Sequence, residues 1–170
     1  RMLWKVKPDY RALSLARMML RHRRGNVDTA IAKVADELKN HPGLIYERFR
    51  WRRRKGKDAS ALELLEKLPG DLVHPERWWV ERQVLSRRAL QKGHVTDAYR
   101  IVKGHGLESG SAFAEAEWLA GWIALRFLDD AELAMVHFQT MYQSVKYPVS
   151  IARSTYWTAR ALEAQGAPEL

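Results

Sequence analysis

A four-fold pattern of small and apolar residues constrains this chain more than any other feature. Turn-forming residues recur at Gly25, Gly56, Gly93, Asp129 and Gly166, in steps of 31, 37, 36 and 37 residues. Five places after each of the first four stands an alanine: Ala30, Ala61, Ala98 and Ala134. One place further stand Ile31, Leu62, Tyr99 and Met135, and three beyond those Val34, Leu65, Val102 and Phe138. On a helix of 3.6 residues per turn these offsets share one face. Glycine at the turn suits a helix C-terminus because it takes φ > 0 without strain. The small alanine lets two helix backbones approach, and a bulky aromatic such as Trp118 fills the gap beside it. A single hairpin cannot bury its apolar face alone, so the hairpins must stack. The pattern therefore predicts an all-α chain of four helical hairpins, about 8–39, 43–68, 75–104 and 111–145, followed by a helix over 148–166. Neither an alternating apolar–polar run nor an Asn-Gly hairpin signal points to a sheet.

Local signals place the individual helices. They predict helices over Pro8–Arg24, Val27–Lys39, Leu44–Lys55 and Ala59–Leu68, the last with Asp58 as N-cap. Pro69 to His74 reads as a loop. Helices over Pro75–Lys92 and Val95–Lys103 follow, then the glycine-rich stretch Gly104 to Gly110. Ser111–Leu128, Asp130–Val145 and Pro148–Gln165 complete the set. The start, Arg1-Met2-Leu3-Trp4, and the end, Ala164 to Leu170, suggest one domain excised from a longer protein.

The 170 residues are 46% hydrophobic and 29% charged, enough for a substantial core. Cysteine is absent, which excludes disulfide and thiolate chemistry. The longest uncharged apolar run, Trp118 to Leu125, falls far short of the ~20 residues that cross a bilayer. The net charge of +9 suggests an anionic partner. The positive excess is concentrated at Arg21-His22-Arg23-Arg24 and in the run Arg48 to Lys57. That basic helix has three readings: a solvated face whose arginine stems lie over the core, a phosphate-binding face, or a surface for an acidic polymer or acidic domain.

Catalytic and metal chemistry finds little support. The six histidines lack metal-ligand spacing and read as turn or helix-end residues, so no metal or cofactor is expected. Gly104-His105-Gly106 begins like a dinucleotide fingerprint but lacks the third glycine and the preceding strand. The carboxylates lie beside Lys or Arg, as Glu63 does beside Lys67. Trp118, Trp122 and Trp157 read as core filler between hairpins. Trp78 and Trp79 are adjacent, about 100° apart on a helix, so one of them is expected at the surface.

Three blocks carry a family resemblance: His74 to Arg82 (HPERWWVER), Ala98 to Leu107 (AYRIVKGHGL) and Phe113 to Leu128 (FAEAEWLAGWIALRFL). A looser fourth joins Pro148 to Arg153 with Tyr156-Trp157 and Ala159-Arg160-Ala161. Together with the tetratricopeptide-like hairpin spacing, they resemble the superhelical region of soluble lytic murein transglycosylases, from about Pro42 onward. The resemblance implies a right-handed superhelix, a periplasmic location and a role in peptidoglycan turnover. It implies two partners: glycan strands, and a lysozyme-like catalytic domain C-terminal to the superhelix in the same chain. That domain's Glu-Ser and Gly-Leu-Met-Gln-like motifs are missing here, so no catalytic residue is assigned and this stretch is expected to be non-catalytic. Arg160 departs from the Trp-x-x-Gly spacing seen at Trp118 and Gly121, which implies looser packing there.

In hairpin repeats of this type the first helix of each pair lines the concave surface. That register predicts a basic stripe of Arg23, Arg50, Arg53, Arg54, Arg87 and Arg126, suited to the carboxylates of peptidoglycan stem peptides. The alternative is a freestanding repeat module that binds a peptide or protein. Nucleic acid is the least favoured partner.

Overall fold

The structure, a computed structural model, describes residues 7–68 and 72–166. The expected ends at Arg1–Trp4 and Ala167–Leu170, and Pro69–Asp71 of the expected loop, lie outside those residues. The described residues are all-helical, with nine α-helices, one short 3-10 turn and no strand. They fall into two compact units, Arg1–Val73 and His74–Leu170.

The first unit holds α1 (Pro8–Arg21), α2 (Val27–Ala32), the 3-10 turn Asp36–Leu38, α3 (Pro42–Arg54) and α4 (Asp58–Glu66). Helix α1 packs on α2 and α3, and α3 on α4. The core cluster joins Leu13, Ala16 and Leu20 of α1 to Val27, Ala30, Val34 and Leu44. Across its edge Arg21 donates to Oε1 of the buried Glu47 from Nε (3.0 Å) and Nη2 (2.7 Å).

Three expectations fail here. The second helix was expected to run to Lys39 but ends at Ala32. The Val34 N–H donates to the Ile31 carbonyl and the Leu38 N–H to the Ala35 carbonyl, three residues back each time. These tighter bonds turn the chain off the helix axis while Val34 stays 2% exposed. The first turn was assigned to Gly25, yet the left-handed residues there are Arg23 (φ 54°) and Asn26 (φ 59°). Arg23 N–H bonds the Leu20 carbonyl and Arg24 N–H the Met19 carbonyl, the paired bonds of a Schellman cap. Asp58 is the first helical residue of α4 and Lys57 is its N-cap.

The second unit holds α5 (Pro75–Gln91), α6 (Val95–Lys103), α7 (Gly110–Phe127), α8 (Ala131–Ser144) and α9 (Pro148–Ala164). Each helix packs on the next. The turn signals work as expected at Gly56 (φ 71°), Gly93 (φ 76°) and Gly166 (φ 75°), and Asp129 takes the same conformation at φ 54°. Gly56 and Gly93 close Schellman caps: Lys57 N–H reaches the Arg52 carbonyl, and His94 N–H the Ala89 carbonyl. The alanines behind the turns are buried, at 7% for Ala30 and 0% for Ala61, Ala98 and Ala134.

The close approach between α7 and α8 has its own lock. A Cβ added to Gly121 would lie 2.5–2.9 Å from the Phe138 ring, so the ring occupies the space that glycine leaves. Here the bulky partner is on the second helix and the small one on the first. At the end of α6 the buried Arg82 donates from Nη1 to the Ile101 carbonyl (2.7 Å). This satisfies one of the carbonyls that a helix C-terminus leaves open. Burial lowers the Arg82 pKa to about 10.

The paired tryptophans also correct an expectation, since Trp78 and Trp79 are both 3% exposed. The buried residues of α5 are Trp78, Trp79, Glu81, Arg82, Leu85 and Ser86. At 100° per residue they span an arc of about 160°, wide enough for two adjacent side chains.

Candidate functional site

Two arrangements in 74–170 invite a chemical reading, one enclosed and one open. The enclosed one is built around Glu117 of α7. His105, in the loop before α7, accepts the Leu107 N–H at Nδ1 (2.9 Å). Its Nε2 therefore carries the hydrogen and donates to Glu117 Oε1 (2.9 Å). His137 of α8 donates from Nδ1 to Glu117 Oε2 (2.7 Å). The Tyr99 hydroxyl lies 2.8 Å from His137 Nε2 and donates to it when the ring is neutral. Trp79 and Phe113 meet the His105 ring edge-on. Burial alone would raise the Glu117 pKa, but the hydrogen bonds from His105 and His137 outweigh it and hold the carboxyl at about 2.

The order Tyr–His–Glu imitates a nucleophile relay. All four side chains are nevertheless buried. Burial, with the charges of Glu117 and Asp130, raises the Tyr99 pKa and disfavours a phenolate. This is a satisfied polar core that ties α6, the 104–110 loop, α7 and α8 together. His22, His41, His74 and His94 stand at helix ends and His105 in a loop, as expected, but His137 lies mid-helix and corrects that reading. No group of three or more histidine and carboxylate side chains among the described residues could hold a metal ion.

The open arrangement lies between α7 and α9. Trp118, Trp122, Leu125 and Arg126 are spaced i, i+4, i+7 and i+8, so they share one face of α7. Trp157, Arg153 and Arg160 come from α9. The Trp118 and Trp122 rings stack at 6.1 Å and 22°, and Trp157 meets Trp118 edge-on at 6.3 Å. The Arg153 guanidinium lies over the Trp118 ring at 5.2 Å. A cavity of about 330 Å³ continues this row, lined by Leu125, Arg126, Asp129, Trp157, Arg160, Glu163 and Ala164. The three tryptophans are half-buried and pack against the core cluster, and Trp157 also lines the cavity. Arg160, flagged for its departure from glycine, is exposed, borders the cavity and pairs with Glu163.

The predicted arginines divide between the units. Arg23 is the exposed cap residue after α1. Arg50, Arg53 and Arg54 share one face of α3 by their spacing; Arg50 and Arg53 are half-buried and engaged in contacts of their own, and Arg54 is exposed. Arg87 is exposed on α5, with Nη2 3.9 Å from Glu115 Oε1. Arg126 lines the α7–α9 cavity. Glu115 and Arg126 are about 16 Å apart along α7 at 1.5 Å per residue, so Arg87 and Arg126 do not converge on one point. Arg153 and Arg160 were missed. Their i−4 and i+3 spacing about Trp157, matching Arg126 four after Trp122, was the available signal.

No family model matches the chain, and no curated protein or solved structure matches it either. None of its helices, among the described residues, is long and apolar enough to cross a membrane.

Proposed function

We propose that this chain is a non-catalytic scaffold in peptidoglycan turnover, from the superhelical region of a periplasmic soluble lytic transglycosylase. In this reading its hairpins stack in a right-handed superhelix, support a lysozyme-like catalytic domain and guide glycan strands toward it. The observation that carries the reading is the α7–α9 cleft. Half-buried Trp157, backed by the stacked Trp118 and Trp122, offers an apolar surface to a sugar ring, while Arg126 and Arg160 on the same cavity offer forked donors to the carboxylates of muramoyl groups and stem peptides. The blocks Phe113–Leu128, Pro148–Arg153 and Tyr156–Ala161, which carry the sequence resemblance, supply the side chains of this cleft. Glu117 has no acid–base part in it, because a buried carboxyl held at about 2 has no proton to donate near neutral pH.

Binding to soluble muropeptide chains, compared with uncharged chitin oligosaccharides of equal length, tests this. The carboxylated chain should bind more tightly, and Trp157→Ala with Arg126→Gln should weaken it by about tenfold, the equivalent of ~1.4 kcal/mol. Muropeptide binding that survives the double substitution sinks the reading. Tight binding of acidic peptides without sugar would favour a peptide-binding module instead. Release of anhydro-muropeptides by the pure chain would overturn the non-catalytic assignment.

A further inference from the structure

A separate cavity of about 310 Å³ lies in 1–73, between the end of α1, α2 and α3. Its lining has two characters. Leu20, Val27 and Ile31 form an apolar side, and Lys39, Arg48 and Arg52 a cationic one, with Asp28 the single carboxylate among the lining residues. We propose that this cavity binds a small organic phosphate monoester, the phosphate on Arg48 and Arg52 and the apolar group against Leu20, Val27 and Ile31.

Charge placement is the main argument. Arg48 and Arg52 stand four apart on α3, so their like charges share a helix face, an arrangement that destabilises an isolated helix. Both are half-buried, which removes much of the water that would screen them. Burial and the Arg52 charge both disfavour the charged form of Arg48, and Asp28 only partly compensates. Lys39 is held by Asp36 at 2.5 Å. Arg52 is held by its Nη1 bond to the Ser60 carbonyl (2.5 Å), which orients its remaining N–H groups. Asp36 offsets Lys39, so Arg48 and Arg52 face Asp28 and leave one uncompensated positive charge for an anionic group to balance. Guanidinium forks suit phosphate oxygens in paired bonds. The volume is at the lower end of ligand cavities, roughly 300–1,000 Å³, which limits the apolar group to something near a single ring.

Phenyl phosphate, titrated calorimetrically into the full chain, is the probe. One saturable site per chain is expected. Inorganic phosphate should bind about tenfold more weakly, because it leaves the apolar side unused. Arg48→Met should weaken phenyl phosphate by about tenfold or more. Ala32→Trp, made at an exposed lining residue, fills the cavity and keeps every charge, and it should abolish binding. Lys146→Gln, at an exposed position in the other unit, should leave the affinity unchanged. The assignment is overturned if phenyl phosphate gives no saturable heat, if inorganic phosphate binds equally well, or if Ala32→Trp binds like the parent.

Discussion

The two units solve the same packing problem with different materials. The core cluster of 1–73 is aliphatic, built on Leu13, Leu20, Val27, Val34 and Leu44, and its charged pair joins the buried Glu47 to an Arg21 side chain that is 54% exposed. That of 74–170 is aromatic, built on Trp79, Tyr99, Phe113 and Phe138, and it takes the Glu117 carboxylate inside. A buried charge is costly unless it is paired and hydrogen-bonded; Glu47 takes both Arg21 bonds on Oε1 and leaves Oε2 without a hydrogen-bond partner among the described residues. Glu117 meets that condition because a loop histidine and a helix histidine converge on its two oxygens. Both units thus bury a carboxylate, and they differ in its partners: one arginine on one oxygen of Glu47, two histidines on the two oxygens of Glu117.

The largest expected effect is at Phe138. Phe138→Ala removes a fully buried ring and opens the space beside Gly121, which should cost about 3–5 kcal/mol. Hydrogen exchange should show the loss in 74–170 while protection in 1–73 stays. Equal loss in both would mean that the two unfold as one body, and the comparison would fall.

Next comes Glu117→Leu, which strands the His105 and His137 donors in the core and should cost about 3 kcal/mol. Acid sharpens the test. The carboxyl sits at about 2 when folded against an ordinary value of 4.5, so its contribution is complete above 4.5 and fades as the pH falls toward 2. Denaturant titrations from pH 6 to pH 2 should show the second unit weakening through that window, and the leucine variant should lose this part of the slope. An unchanged slope would mean that Glu117 does not govern the acid response.

The smallest effect is at the turns. Arg23 takes φ 54° where Gly56 and Gly93 hold the equivalent cap. Arg23→Gly should stabilise the first unit by about 1 kcal/mol, and Gly56→Ala should cost about as much. Thermal melts that move in the same direction for both would show that backbone strain does not set these turns.

The turn series and the alanines behind it were legible because helix periodicity and φ > 0 are local properties. Their failures have local causes too. Gly25 was a plausible cap, but the chain capped α1 two residues earlier, on Arg23. The helix from Val27 lost its second half to three-residue bonds that residue identity does not announce. The tryptophan row was legible as a helical stripe, while its half-burial was not, because exposure depends on what the neighbouring helix covers.

What the sequence by itself determined is the class of the protein: hairpins of helices, their turns, and the small residues where helices meet. Those follow from spacing along a single chain. Only the tertiary structure decided which charges matter. His105, Glu117 and His137 are twelve and twenty residues apart and share no motif, and Arg126 joins Arg160 only because α9 lies beside α7. Hydrogen bonds and cavities form between side chains that folding brings within about 3 Å, and sequence separation carries almost no information at that range.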